Sequence, residues 1–212
     1  QYTAPRLSLG VNLYYMKYKD QLVPTGMVND DSNALNTNVP DSYRRGVELS
    51  ASWRATGWFT VGANATFSQN RIENYVDALK DSPTYGKELG DMTIAYSPDV
   101  IANAFLNFHH RGFEAVFHTQ HVGKQYFTNN EKDALSLDAY CVTNLNLAYT
   151  FRTRTARSVR LGLLINNLFN AEYESNGYGY SYMDTWSGPA PVRIDEAYYF
   201  PQAPLNVLAL SL

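Results

Sequence analysis

Apolar and polar residues alternate along most of this chain with a period of two. In the run from Arg6, Leu7, Leu9, Val11, Leu13 and Tyr15 share one face, while Arg6, Ser8, Gly10 and Asn12 share the other. Tyr43, Val47, Leu49, Ala51 and Trp53 oppose Arg44, Gly46, Glu48, Ser50 and Ser52 in the same way. Phe59, Val61, Ala63, Ala65 and Phe67 then oppose Thr60, Gly62, Asn64, Thr66 and Ser68. Past the break at Pro98, Val100, Ala102, Ala104, Leu106 and Phe108 continue the pattern, although Ile101 and Phe105 blur their polar side. Phe113, Ala115 and Phe117 follow against Glu114, His118 and Gln120; Leu145, Leu147, Tyr149 and Phe151 against Asn144, Asn146 and Thr150; and Val159, Leu161, Leu163 and Ile165 against Arg160, Gly162 and Asn166. In the last run Leu208, Leu210 and Leu212 stand against Val207, Ala209 and Ser211, a weaker contrast. Successive side chains of a strand point to opposite faces, so each run reads as a β-strand. No stretch carries a comparable helical period. The pattern predicts an all-β fold, an antiparallel meander of eight strands, most of them about 12 to 16 residues long.

Strands of that length exceed the five or six residues usual in globular proteins. A strand crossing a membrane needs about 9–11 residues for the hydrocarbon alone. The connections also alternate in size. Residues 55–57, 110–112 and the basic segment 152–158 are short, whereas 20–40, 71–91, 127–137 and 171–197 are long. Short turns on one side and long loops on the other are the pattern of an outer-membrane β-barrel. A β-sandwich has no reason to segregate its connections.

Composition fits this picture and fits a soluble all-β protein equally well. Of the 212 residues, 45% are apolar and 14% aromatic against 17% charged, below the roughly 25% charged usual in soluble domains. No apolar stretch approaches the length of a membrane-spanning helix. The net charge of -3 and the absence of a Lys/Arg block argue against a nucleic-acid partner. Cys141 stands alone, which excludes an intramolecular disulfide and a Cys-based zinc site. The start QYTAPRLSLG shows neither the basic nor the apolar segment of a signal peptide, and the chain begins and ends in strand-like runs. It is therefore expected to be a piece of something longer.

Several stretches, in order, resemble the C-terminal part of TonB-dependent outer-membrane receptors, particularly the Bacteroidetes type: YKDQLVPTG, VPDSYRRGVELSASW, NATFSQNRIENY, IAYSPDVIANAFLNF, HVGKQY, LDAY, INNLFNAEYESNGYGY and the terminal YYFPQAPLNVLALSL. The resemblance runs from about residue 5 to the end. It implies a large barrel of about 22 strands in the cell outer membrane, surrounded by lipid and filled by a plug domain. It also implies energising through TonB and import of a scarce small-molecule or oligosaccharide ligand such as a siderophore, cobalamin, haem or glycan. Residues 1–212 would then be a partial barrel domain without the plug or the earlier strands. The family's closing strand usually ends on an aromatic one or two residues beyond the position of Leu212. The alternative is a self-contained eight-stranded barrel with a structural or adhesion role. Its interior would have to be filled by side chains, and a face rich in Gly, Ser and Asn offers little volume for that.

Candidate sites are few. Polar-face residues such as Arg44, Glu48, Asn64, Glu114, Asn144 and Arg160 are expected to face water or one another. His109, His110, His118 and His121 invite a metal, but three or four convergent ligands are required and no acidic or Cys partner is evident. Asp184, Ser187, Asp195 and Glu196 share one connection without a neighbouring His or a nucleophile motif, so no enzyme and no cofactor are expected. Residues 30–33 (DDSN) and 77–83 (DALKDSP) cluster oxygens without calcium-loop spacing and read as solvated loops. The connection 171–197 is different, because it is crowded with aromatics. Tyr173, Tyr198, Tyr199 and Phe200, next to the strands, suit an aromatic girdle at the membrane boundary. Tyr178, Tyr180, Tyr182 and Trp186, at its centre, are expected to contact ligand, with packing between loops as the competing role.

Overall fold

The computed structural model describes residues 1–29, 33–154 and 157–211. Fourteen strands follow in chain order: β1 (Tyr2–Thr3), β2 (Leu7–Val28), β3 (Ala34–Arg54), β4 (Phe59–Ile72), β5 (Met92–Thr93), β6 (Val100–His110), β7 (Phe113–Val122), β8 (Gln125–Tyr126), β9 (Ser136–Leu137), β10 (Tyr140–Phe151), β11 (Val159–Asn166), β12 (Glu174–Asp184), β13 (Val192–Pro201) and β14 (Asn206–Ser211). The only helical element among the described residues is a 3₁₀ turn, Asp133–Leu135. One sheet runs β1-β2-β3-β4-β6-β7-β10-β11-β14, with β5 added to β4, and all of its pairs are antiparallel. The predicted eight-stranded meander is present. No ladder among the described residues joins β14 to β1 or β2, so the sheet is open.

The short turns lie at one end of the sheet. Between β6 and β7 a two-residue turn places Arg111 at φ 48° and Gly112 at φ 85°, the twin positive angles that match the twist of a hairpin. A Cβ on Gly112 would lie 2.3 Å from the Thr150 carbonyl oxygen, so this position excludes any other residue. The predicted turn at 152–158 lies partly outside the described residues, as does the oxygen cluster at 30–33.

Strand lengths depart from the expected 12 to 16 residues. β2 and β3 reach 22 and 21 residues, while β14 has only 6 described. The connection 20–40 is not a loop but the continuing hairpin, paired from Gln21↔Val39 to Pro24↔Asn36 and, past a register shift, at Val28↔Ala34. Pro24, Gly26 and the polar residues break the alternation there. Pairing persists because Val23 and Val39 bury against Ile72, Tyr75 and Ile94. The connection 171–197 likewise folds, as the β12–β13 hairpin.

Directly paired residues share a face of the sheet. One row crosses all eight strands: Leu7, Trp53, Val61, Leu106, Phe117, Leu145, Ile165 and Val207. This register corrects the reading of the last strand. Val207, Ala209 and Ser211 pair with Ile165, Leu163 and Leu161 on the apolar face, and Leu208 and Leu210 lie opposite Leu164 and Gly162 on the other. Both sets of β14 are largely apolar, so only the hydrogen bonds to β11 decide which one points outward.

The apolar face carries two aromatic bands. At the short-turn end Trp58 lies 5.2 Å from Phe108, Phe108 lies 6.0 Å from Phe113, and Tyr149 stacks 5.8 Å from Phe151, with Trp53 alongside. At the other end Tyr15 stacks on Tyr43 at 6.3 Å, and the Arg45 guanidinium sits 5.2 Å over the Tyr43 ring. Tyr43 and Trp53 lie ten residues apart on β3 (53 minus 43), about 33 Å of strand. At the roughly 40° tilt of barrel strands this projects to about 25 Å, the height of an outer-membrane apolar band. Between the bands Leu13 is 73% exposed and Val11 64%, so these residues belong to no protein core.

The protein's own cores lie beyond the second band, at the long-connection end. Val23, Val39, Ile72, Tyr75 and Ile94 form one, and Phe127, Leu135 and Leu137 form another against Ala197.

The face assignment of β14 has a measurable consequence. With the apolar face of the sheet set in lipid vesicles, Val207→Arg should lower unfolding stability by about 2–4 kcal/mol, the usual effect of a charge on the lipid face of a barrel near mid-membrane, and by less nearer the interface. Leu208→Arg, one residue on, should cost distinctly less. Urea titrations of the pair in the opposite order would overturn the register.

Candidate functional site

Three outer segments converge above the second aromatic band: the tip of the β2–β3 hairpin, residues 123–137, and the β12–β13 hairpin. Asn129, fully buried, joins the first two. Its side-chain oxygen accepts from the Ala95 amide at 2.7 Å, and its amide nitrogen donates to the Pro24 carbonyl at 2.6 Å. Gly26, at φ 73°, lets the hairpin tip close on Thr128, whose Cγ2 would lie 2.4 Å from an added Cβ.

The β12–β13 hairpin sits on the second core. A Cβ on Gly177 would fall 2.8 Å from the Phe127 ring, and one on Gly179 2.9 Å from both Phe127 and Leu135. Two glycines at alternate positions thus bring backbone directly onto aromatic and aliphatic side chains. The Tyr96 hydroxyl adds a bond of 3.4 Å to the Gly177 carbonyl. On the same side of the hairpin Asp195 accepts from Ser181 Oγ at 2.6 Å and from Arg193 Nε at 2.8 Å, and pairs with Lys132 Nζ at 3.3 Å. Burial pushes the Asp195 carboxyl up, but Ser181, Arg193 and Lys132 together hold it below its ordinary value.

The opposite side of the hairpin is an aromatic ladder. Tyr178 stacks on Tyr198 with centroids 4.9 Å apart, Tyr198 neighbours Tyr180 at 6.4 Å, Tyr180 neighbours Tyr182 at 6.3 Å, and Tyr182 stacks on Trp186 at 6.1 Å. Three hydroxyls of this ladder converge on one carboxylate. Tyr180 and Tyr198 donate to Glu196 Oε2 at 2.6 and 3.0 Å, and Tyr182 to Oε1 at 3.2 Å. The bonds from Tyr180 and then Tyr198 hold the Glu196 carboxyl below its ordinary range, and the bond to Glu196 raises the Tyr180 hydroxyl well above the usual phenol value.

A cavity of about 550 Å³ opens between this ladder and the β2–β3 tip. Tyr178, Tyr180 and Tyr198 line it from the hairpin, Pro24, Met27 and Val28 from the β2–β3 tip, and Tyr96 and Phe127 complete the lining. That volume lies within the range of small-molecule sites. Of the predicted ligand-contact residues, Tyr178 and Tyr180 line the cavity. Tyr182 and Trp186 continue the ladder beyond it, and Trp186 is 73% exposed at the hairpin tip. Tyr198 and Tyr199 are not placed as the girdle reading expected: Tyr198 stacks in the cavity wall and Tyr199 packs 5.8 Å from Phe127. They belong to the hairpin that docks on β2 near Pro24, nine residues past Tyr15 (24 minus 15) and so well outside the apolar band. Tyr173 stacks on Tyr140 at 4.7 Å.

Tyr96, Met27 and Val28 escaped the sequence reading. Met27-Val28 was the available signal, an apolar pair in an otherwise polar connection. Asp77, in the 77–83 oxygen cluster, is buried and accepts from the Leu79 amide and the Ser82 and Thr84 hydroxyls, as a residue shaping a turn does. Among the described residues no three His, Cys, Asp or Glu side chains converge as metal ligands would. His109 lies opposite Glu114 and His118 opposite Phe105, four positions apart along the ladder. Asp184 accepts from the Trp186 and Ser187 amides at 3.0 Å each, capping the hairpin turn.

Comparison with solved structures gives the same architecture. The ferric yersiniabactin uptake receptor FyuA from Yersinia pestis matches 99% of this chain at TM-score 0.65 and 17% identity. The ferric citrate transporter FecA matches 98% at TM-score 0.63 and 14% identity, and the ferric-catecholate import receptor Fiu from K12 E. coli 97% at 0.61 and 18%. The chain spans 28%, 28% and 25% of those three structures. No curated protein matches it by sequence. A family model described as TonB dependent receptor-like, beta-barrel, matches residues 1–168. The eight-stranded antiparallel wall, with its short turns at one end and folded segments at the other, thus belongs to the TonB-dependent receptor β-barrel family.

Proposed function

We propose that this chain is the C-terminal portion of an outer-membrane, TonB-dependent importer. It would supply eight adjacent strands of a barrel of about 22, and outer segments that receive a scarce ligand before passage. The plug domain, the remaining strands and the coupling to TonB lie in this reading outside residues 1–212, and the role is that of a receptor rather than an enzyme. Family membership supports the transport class, and the ten-residue separation of the aromatic bands along β3, about 25 Å at a barrel strand's usual tilt, supports the membrane setting. The observation that carries the ligand role is the cavity between Tyr178, Tyr180 and Tyr198 and the Met27-Val28 tip, placed well outside the apolar band. A siderophore fits what the similar structures are named for. Cobalamin, haem and a glycan are the other ligands that the sequence resemblance implies. A Bacteroidetes-type receptor rests on the ordered sequence stretches alone.

The self-contained eight-stranded barrel has no support in the ladders, which among the described residues leave β14 and β2 unjoined.

Uptake by the complete receptor tests the reading. A well-packed aromatic anchor contributes about 2 kcal/mol to binding, so Tyr178→Ala should weaken ligand affinity roughly 30-fold. Tyr180→Ala should act in the same direction, and Trp186→Ala, at an exposed tip outside the cavity, should change affinity little. Surface expression should be equal for all three. Growth on the native ligand unchanged by Tyr178→Ala at equal expression would overturn the assignment. A second check concerns docking of the hairpin: Gly179→Val should cost about 1–3 kcal/mol through overpacking on Phe127 and Leu135. Protease would then cut between residues 171 and 201 while the barrel itself stays folded.

A further inference from the structure

We propose that the outer cavity selects ring-bearing small molecules carrying no net negative charge, and that Glu196 sets this preference; the inference rests on reading the cavity as the ligand vestibule. The walls are aromatic and aliphatic, and none of the lining residues is cationic. Arg193 and Lys132 lie on the other side of the hairpin and are engaged by Asp195, while Lys124 and Arg71 pair with Asp133 and Glu131 of the neighbouring segment. Beside two of the lining rings, on the same face of the hairpin, stands the Glu196 carboxylate, one hydrogen bond from the Tyr180 and Tyr198 hydroxyls. Glu196 makes no ion pair among the described residues. No cation therefore stands between this charge and the cavity, and the excess positive charge of Arg193 and Lys132 over Asp195 lies on the far side of the hairpin.

Two effects of one sign add here. The faces of aromatic rings carry negative electrostatic potential and attract cations. An ionised carboxylate at the hydroxyl edge of those rings adds to that potential. An anion entering would find rings to stack on but no donor charge, and would lose hydration without replacement. A neutral ring system keeps the stacking, and a cationic one gains in addition. The three hydroxyl bonds also fix the carboxylate in place, so the field is built into the wall rather than carried by a mobile side chain.

Three indole probes separate charge from shape: tryptamine as the cation, indole-3-ethanol as the neutral form and indole-3-propionate as the anion. Their affinities for the complete receptor in detergent, at neutral pH and low salt, are read by titration calorimetry. The cation should bind roughly three- to tenfold more tightly than the anion, as expected for a partly solvated charge several ångströms away, with the neutral probe between. Glu196→Gln should bring the cation-to-anion ratio to about one, and Glu196→Asp should retain part of it. Should Glu196→Gln not fold, the ratio in the unaltered receptor still decides. Equal affinities for the three probes, each reduced by Tyr178→Ala, would overturn charge selection while leaving the vestibule in place. An anion that binds most tightly would do the same. Probe binding that is absent, or indifferent to Tyr178→Ala, would overturn the vestibule reading itself.

Discussion

A strand in hydrocarbon must pair every backbone N–H and C=O with a neighbouring strand, because no water is present to satisfy them. The rest of this structure follows from that requirement. It holds eight strands in one antiparallel sheet and couples their registers, so that a single row from Leu7 to Val207 can stay apolar across the whole wall. It also explains the short turns: a strand that leaves the membrane next to its partner needs only Arg111 and Gly112 to return. Among the described residues the sheet ends at β1, which pairs only Ser8 and Leu9 of β2, and at β14, so the requirement is met at these edges only in the larger barrel proposed above.

Beyond the apolar band a different requirement applies. Water satisfies the backbone there, so order has to come from burial, and the long connections make their own cores. Val23 and Val39 extend the first hairpin because Ile72, Tyr75 and Ile94 cover them. Phe127, Leu135 and Leu137 give the last hairpin a surface to rest on, and Gly177 and Gly179 let its backbone approach. Asn129 replaces a strand partner with side-chain hydrogen bonds, tying residue 95 to residue 24 where no ladder runs. The cavity is what remains between two such self-supported pieces.

Docking the hairpin through its glycine side has a chemical consequence. Side chains alternate, so burying Gly177, Gly179, Ser181 and Ala197 turns Tyr178, Tyr180, Tyr182 and Tyr198 outward together. One face becomes all attachment and the other all aromatic surface. The charged residues divide in the same way: Asp195 holds the hairpin to Lys132 and Arg193, and its neighbour Glu196 stands among the tyrosines.

The strands, their order, the sidedness of their connections and the apolar face of seven of them were legible in the sequence, because a half-lipid, half-water environment writes a period of two into every crossing. Tyr178 and Tyr180 stand out in the sequence too, as aromatics too central in their connection to anchor in a membrane, and both line the cavity; their contact with ligand is a proposal. The face of β14 was not, since Val207, Ala209, Leu208 and Leu210 are all apolar and only pairing with β11 distinguishes them. The true lengths of β2 and β3 were hidden by Pro24 and Gly26, whose disruption is outweighed by burial against residues about 50 positions away. Met27, Val28 and Tyr96 became part of the cavity wall for the same reason. Local alternation reports the environment each strand meets, whereas the meeting of residues 27, 96, 127 and 178 depends on contacts between segments far apart in the chain, and no local pattern encodes those.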